Sequence, residues 1–522
     1  MIISSYNLIY EEALIKFNLK ISKFLIKNDQ VKKMSKKPNF IIIMPDQHRA
    51  DILGCAGTPV KTPNLDRLAS EGVRFANAFT QSPLCVPARA SFLVGRYVHE
   101  TEVYTNKIFL HDTYPEMIKS SFLNILKEND YETVDIGKMH LVRHKSKGHG
   151  ARIEGKDFSE VDHVKNHIPQ MKEMGFNEVQ EVCGKMESFG VGSAYTEALK
   201  ENNLLEVFKK HLTKFPIKYA EPMPLPEKYY IDSFVGDMAL NWFKNYINNS
   251  DSKKPFCLFI GIPGPHDPFD CIKEYVDLYN HEDIILNKEE IKEPKRPLPK
   301  YLSLSRNISS SRTVSEEYIK KCRAAYYANV TLIDKKVGEI RDALEINGVL
   351  DNTWIIYTSD HGEQLGDHKL FMKFVFYRSA VQIPLIIRPP EGMKGKIIEN
   401  DVELIDIPAT ILDILKLNLP PEHRGKSLIP FLINNENKDY QHKDLIISQV
   451  GNYAMGVTRD WKFVVNSSTG KLLELYDRKN DYYENNNLAK TDEGKRIGEE
   501  LYQNRLEDII PKVKTEAGID LI

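Results

Sequence analysis

The chain has 522 residues, 42% hydrophobic and 28% charged, with 71 basic and 73 acidic side chains and a formal net charge of −2. That is the composition of a folded globular chain long enough for one large domain and a smaller one, and it excludes low-complexity and collagen-like polymers. No basic excess is left over for a nucleic-acid backbone, so no nucleic-acid partner is expected and an anionic substrate has to be held by locally placed groups.

Residues 1–33 are rich in Ile, Leu, Phe and Lys, but Glu11, Glu12, Lys16 and Lys20 interrupt any apolar core. The segment 1–36 therefore reads as an N-terminal extension, with a membrane-surface amphipathic helix as the sharper alternative. With no convincing signal peptide and no transmembrane segment, a cytoplasmic location is expected. The run 39–44 (NFIIIM) is continuously apolar, the mark of a strand buried on both faces, and Asp46, Gln47 and His48 follow its end. A helix is expected over 64–71, closed by Gly72, and then a strand over 73–76. Next comes the stretch 82–96, SPLCVPARASFLVGR. Here Cys85 precedes a small-residue helical run, so it belongs at a helix N-terminus, where unpaired N–H groups and the dipole favour an anion.

Helical spacing returns over 117–127, and a strand over 131–136 runs into Gly137-Lys138-Met139-His140. From 145 to 228 no alternation persists, which reads as an insertion of loops and short helices on a rim. A helix over 229–247 precedes the buried strand 256–262 (FCLFIGI), which delivers Pro265-His266-Asp267-Pro268. After an irregular stretch at 271–312, residues 316–347 read as one long helix ended by Gly348. The strand 353–358 (TWIIYT) leads into Ser359-Asp360-His361-Gly362-Glu363, followed by a strand at 381–388 and a helix at 404–415. Beyond Lys443 the pattern changes to short strands at 444–449, 455–458, 462–465 and 472–476, then a helix at 493–506.

Strands alternating with helices predict an α/β doubly wound, mostly parallel central sheet, with a small C-terminal antiparallel sheet plus helix. The expected division is 1–36 extension, 37–443 catalytic domain and 444–522 C-terminal subdomain. Asp46, Lys138, His266 and Asp360 each lie just past a different strand, where such sheets bind ligands. Taken alone, Asp46 or Asp360 reads as a helix cap. Two carboxylates at neighbouring strand ends would repel each other without a cation between them. With the amide of Gln47 and the imidazole of His361 they make an oxygen-dominated set, suited to Ca²⁺ first and Mn²⁺ second. Cys85 alone reads as a buried structural cysteine, but Arg89 one turn later suits an anion better than it suits packing. The six cysteines, at 55, 85, 183, 257, 271 and 322, show no paired spacing, so no disulfide framework is expected. Lys373 by itself reads as a surface lysine, His140 and His266 each as an even choice between a structural and a functional histidine, and Asn106 as turn chemistry with a substrate contact as the weaker alternative.

Cys85-x-Pro87-x-Arg89 followed by Leu93-x-Gly95-Arg96 resembles the signature of the formylglycine-dependent sulfatases of the alkaline phosphatase superfamily, and the resemblance extends from about Pro38 into the C-terminal tail. It implies that a maturation enzyme oxidises Cys85 to formylglycine. It also implies that Asp46, Gln47, Asp360 and His361, with the Cys85-derived group, surround a divalent cation. One hydroxyl of the formylglycine hydrate then attacks sulfur, and the other later serves to break the intermediate. Arg89 and Lys138 hold the hydrate, His266 and Lys373 bind the sulfuryl group and donate to the leaving oxygen, and His140 is the base that expels sulfate. Many family members carry Asp at the position of Gln47 and Asn at that of His361. The implied substrate is a small-molecule or carbohydrate sulfate ester. A phosphonate monoester or phosphodiester is the alternative for an Asp-Gln pair, and a catalytically silent binder the outcome if Cys85 stays a thiol.

Overall fold

The apolar run near the start becomes strand β1, Asn39–Asp46, buried along its whole length. Its side chains divide by parity: Phe40, Ile42 and Met44 enter one core, while Ile41 and Ile43 enter another. A strand that reads as unbroken hydrophobe is thus covered on both faces. In the computed structural model, which describes residues 37–144, 162–212, 221–249, 254–293, 314–432 and 442–510, β1 lies inside an eight-stranded sheet. The other strands are β2 (Val73–Phe79), β3 (Glu132–Gly137), β4 (Glu178–Glu181), β5 (Phe256–Pro265), β6 (Thr353–Tyr357), β7 (Gln382–Arg388) and β8 (Lys396–Glu403). Their order is β4-β3-β5-β1-β6-β7-β2-β8, and every neighbouring pair is parallel except the two that involve β7.

The doubly wound, mostly parallel sheet follows the expectation, with two additions. Strands β4 and β8 carry EVQE and KIIENDVE, polar sequences that sit at the two edges of the sheet and are only partly buried. An edge strand needs no apolar run, so hydrophobic periodicity passes over it. One core face takes the helices Cys85–Val94, Phe122–Glu128 and Asp406–Ile414. The other takes Pro63–Ser70, Ile231–Asn248 and the long helix Glu316–Ile346. The helix expected over 117–127 is broken: Pro115–Ile118 is a single turn, and Ser121 caps a new helix by accepting the Asn124 N–H at 3.1 Å.

A second sheet holds β9 (Ile446–Val450), β10 (Tyr453–Val457), β11 (Trp461–Asn466) and β12 (Leu472–Asp477) in antiparallel order. One face packs beneath the helix Asp492–Leu501 and the π-helical turn Tyr502–Leu506. The opposite face, with Ile446, Val450, Met455 and Val464, packs on Phe79, Leu84, Val375, Phe376 and Tyr377 of the larger unit. Each fully buried side chain of that size contributes about 1.5–3 kcal/mol. The small sheet therefore clamps the loop that carries Lys373. Lys462 reinforces the clamp by donating from its buried ammonium to the Phe376 carbonyl at 2.7 Å. The expected extension 1–36, and the parts 145–161 and 213–220 of the expected insertion, lie outside the described residues.

Candidate active site

Strands β3, β5, β1 and β6 are consecutive neighbours in the sheet. Parallel strands spaced about 4.8 Å apart bring their C-terminal ends into one row, so Lys138, His266, Asp46 and Asp360 converge although up to 314 positions separate them in sequence. Asp46 ends β1 itself. Gln47 then turns the chain sharply with φ +69° and donates its N–H to Asp360 Oδ1 at 3.0 Å. Asp360 Oδ1 also accepts the His361 N–H at 3.0 Å, and Oδ2 accepts Arg89 Nε at 2.8 Å.

Cys85 opens the helix Cys85–Val94, as its position before small residues predicts, and its side chain is buried. The Val86 N–H is taken by Asn106 Oδ1 at 3.1 Å, so Asn106 serves the first turn of this helix. Around Cys85 Sγ stand Lys373 Nζ at 3.0 Å, His361 Nε2 at 3.2 Å and Asp46 Oδ1 at 3.8 Å. Lys138 Nζ reaches Asp46 Oδ2 at 2.6 Å, and Arg89 Nη1 donates to the Lys138 carbonyl at 2.6 Å. Burial alone would raise Asp46, but the charges of Lys138, Lys373 and Arg89 together hold it well below the usual carboxylate range. Burial opposes ionisation of Asp360 too, and Arg89 leads the charges that keep it low. Lys373 is raised because Cys85, Asp46 and Asp360 outweigh the cost of burying its ammonium.

The two histidines beside Lys373 are neutral. Burial, with Lys373 second, takes His266 down to about 4; burial also lowers His361, against Asp360 and with help from Lys373. His361 Nδ1 faces the Gly362 carbonyl at 2.9 Å and His266 Nδ1 the Asp267 carbonyl at 2.8 Å. Each ring therefore keeps its proton on Nδ1 and turns a lone pair on Nε2 toward Lys373, at 3.1 Å and 3.0 Å respectively.

The set fits a divalent cation. Ligand atoms of Asp46, Cys85, Asp360 and His361 all lie within 4.8 Å of one another. Gln47 Oε1 is a buried acceptor with no hydrogen-bond partner, an arrangement a cation would satisfy. Its orientation is set from behind: Gln47 Nε2 donates to Glu363, a buried carboxyl that also accepts the N–H groups of Leu365 at 2.9 Å and Met372 at 2.6 Å. Burial pushes Glu363 up to about 7.

The sulfatase family model matches residues 38–417, and the C-terminal model of N-sulphoglucosamine sulphohydrolase matches 366–512. The chain belongs to the sulfatase family. It is a sulfuric ester hydrolase. An arylsulfatase of Clostridium perfringens is 29% identical over 480 residues, covering 88% of this chain and 92% of that one. In fold, this sulfatase is similar to the phosphonate monoester hydrolase of Agrobacterium radiobacter, with TM-score 0.70, 21% identity, and 90% and 94% of the two chains covered. It is also similar in fold to an enzyme solved with its substrate D-glucosamine-2-N,6-O-disulfate, with TM-score 0.67, 22% identity, and 92% and 100% covered.

The sequence reading of the sulfatase missed Glu187, which lies in the stretch without readable pattern. Its Oε1 is 2.9 Å from His140 Nε2 and its Oε2 is 3.9 Å from Lys138 Nζ. Burial would lower His140, yet Glu187, supported by Cys85, raises it. His140 Nδ1 is buried without a hydrogen-bond partner, beside Cys85. Gly184 was missed as well: a Cβ there would stand 2.7 Å from Lys138 Nζ. A lone Glu in a polar stretch and a lone Gly carry no signal that could have found them. His48 and Asp367 are structural. His48 bridges the Tyr357 hydroxyl at 2.8 Å and the Ile52 carbonyl at 3.0 Å, while Asp367 pairs with Arg323 at 2.7 Å and Arg49 at 3.0 Å.

Proposed function

We propose that this sulfatase cleaves a sulfate monoester with the hydrate of a formylglycine made from Cys85 by a maturation enzyme. The observation that carries the reading is the crowd around Cys85 Sγ: an ammonium, an imidazole and a carboxylate within 3.8 Å, with a second carboxylate and a guanidinium directly behind. Asp46, Gln47, Asp360 and His361 would hold the cation, Ca²⁺ for preference and Mn²⁺ as the alternative, given the oxygen-rich donors. When bound, the cation neutralises ester oxygens and lowers the pKa of the attacking hydroxyl.

The chain's own groups do the rest. Lys138 and Arg89 fix Asp46 and Asp360 in their ionised forms and hold the hydrate. Lys373 is the proton donor to the leaving alcohol, because it is charged while His266 is neutral with its proton on Nδ1. His266 orients that ammonium through Nε2. His140 takes the proton of the second hydroxyl at its free Nδ1, which collapses the sulfated intermediate to aldehyde and sulfate.

Solvent reaches the site past His266 and Glu187, whose side chains are 19% and 17% exposed. An alcohol group extending from the sulfuryl group leaves through that opening. A sulfated sugar is the substrate class proposed, in keeping with the glucosamine disulfate bound by the enzyme of similar fold. The neutral amide of Gln47, in place of a second aspartate, supports a second reading as a phosphonate monoester or phosphodiester hydrolase.

The test is mass spectrometry of the tryptic peptide ending at Arg89, from enzyme made with and without the maturation machinery. Activity should follow the aldehyde form. Full activity with an unmodified Cys85 thiol would end the mechanism.

A further inference from the structure

We propose that His144, Asp162 and His167 form a second cation site, built for Zn²⁺ and separate from the Cys85 centre. Their ligand atoms all lie within 4.8 Å of one another. His167 Nε2 is 2.7 Å from Asp162 Oδ2, and its Nδ1 is held by Gln170 Oε1 at 3.1 Å, which fixes the ring. Asp162 Oδ1 is held in turn by the His163 N–H at 3.0 Å and by Asn166 Nδ2 at 3.3 Å. These are withdrawn groups: the side chains of His167 and Asp162 are 12% and 8% exposed.

A histidine–aspartate pair needs no metal, but this one has two companions that an ion pair does not explain. The ring of His144 meets that of His167 edge-on, with centroids 5.1 Å apart, and its Nδ1 is buried without a hydrogen-bond partner. Glu181, at the end of β4, is 4% exposed, and its Oε2 is also buried and without a partner. Burial raises Glu181 above the usual carboxylate range, and the imidazoles of His144 and His167 are among the groups that oppose this. Two imidazoles in contact, one of them with a buried nitrogen that has no partner, and a fixed carboxylate are accounted for together by one cation.

The donors select the ion. Ca²⁺ takes six to eight oxygens, whereas two imidazole nitrogens and one or two carboxylate oxygens suit tetrahedral Zn²⁺. Ligand atoms of such an ion stand about 3.3 Å apart. The 2.7 Å contact between His167 and Asp162 need open only slightly to admit it.

Position gives the site a role. Glu181 Oε1 accepts the His140 N–H at 3.1 Å. Zn²⁺ bound here would tie residue 144, four positions after His140, to the turn Val164–His167 and would anchor Glu181. His144, Asp162 and His167 are then positioning residues for His140.

The experiment uses the full chain, dialysed with Zn²⁺ and then against metal-free buffer, with zinc counted by elemental analysis. His144→Ala and His167→Ala should each retain one zinc fewer than the unsubstituted protein, with far-ultraviolet circular dichroism unchanged. Equal zinc content in all three would overturn the proposal. Anomalous diffraction at the zinc edge from crystals of the unsubstituted protein is an independent check that requires no variant. A peak between the His144 and His167 rings is expected, and density confined to the Cys85 centre would overturn the site.

Discussion

Glu187→Gln tests the assignment of His140 at the group that controls it. Glutamine keeps the size and the hydrogen-bonding reach but removes the charge that faces His140 Nε2 at 2.9 Å. A buried hydrogen bond to a charged group contributes about 1.5–3 kcal/mol, and 1.36 kcal/mol corresponds to one pKa unit. His140 should therefore lose its proton at lower pH in this variant, since Glu187 is the leading charge that raises it. The sign follows from its role. A base works only when neutral, so kcat rises with pH as His140 loses its proton, and a lower pKa moves that limb toward acid. The assay is kcat for p-nitrophenyl sulfate against pH in both proteins, with metal content verified. An acid limb that stays in place, or moves toward alkali, would show that His140 is not the group titrating in turnover.

Asp360→Ala should abolish both bound divalent cation at the Cys85 centre and turnover, since a single carboxylate would remain for a dication; full occupancy measured by calorimetry would contradict the ligand set. Gly184→Ala should fold normally but press the Lys138 ammonium away from Asp46, because the new methyl lies 2.7 Å from Nζ. A misplacement of about 1 Å costs up to about 100-fold in rate, and unchanged kcat would remove Lys138 from the mechanism. An aryl sulfate should be turned over with higher kcat/KM than the matched phenyl phosphonate or diester, because the fixed cations are arranged for a compact anion and a diester needs room for a second arm beside Cys85. A phosphonate or diester faster by tenfold, a barrier difference of about 1.4 kcal/mol, would replace the sulfate reading.

The core strands were legible because β1, β5 and β6 are buried on both faces and so read as apolar runs. Their sequels were legible too, since Asp46, His266 and Asp360 stand within a few residues of strand ends that the sheet then places side by side. What stayed hidden depends on contacts the sequence does not order. Glu187 acts on His140 across the sheet edge, and Glu363 acts only through the amide of Gln47. Strand β4 pairs its four residues with β3 through backbone groups that any side chains could carry. Lys373 was found through resemblance alone, because its stretch has no periodicity and its burial comes from tertiary contacts with Cys85, His266 and His361 and from the packing of its loop between the main unit and the second sheet.

That packing has a mechanistic consequence. Gln47, His140, Met372 and Phe374 all hold positive φ, at +69°, +57°, +71° and +75°. None is glycine, and each such conformation costs on the order of 1 kcal/mol or more unless the surroundings enforce it. The last two flank Lys373 directly, so the ammonium is presented from a strained loop that would relax if released. Phe374, Val375, Phe376 and Tyr377 are pinned between the main sheet and β9–β12, and the Phe376 carbonyl is held by Lys462. Lys373 thus reaches Cys85 because a second hydrophobic core, remote from the chemistry, favours the strained loop over its relaxed alternatives. Among the described residues the C-terminal sheet contributes no atom to the reacting centre, yet it fixes the position of the Lys373 ammonium there.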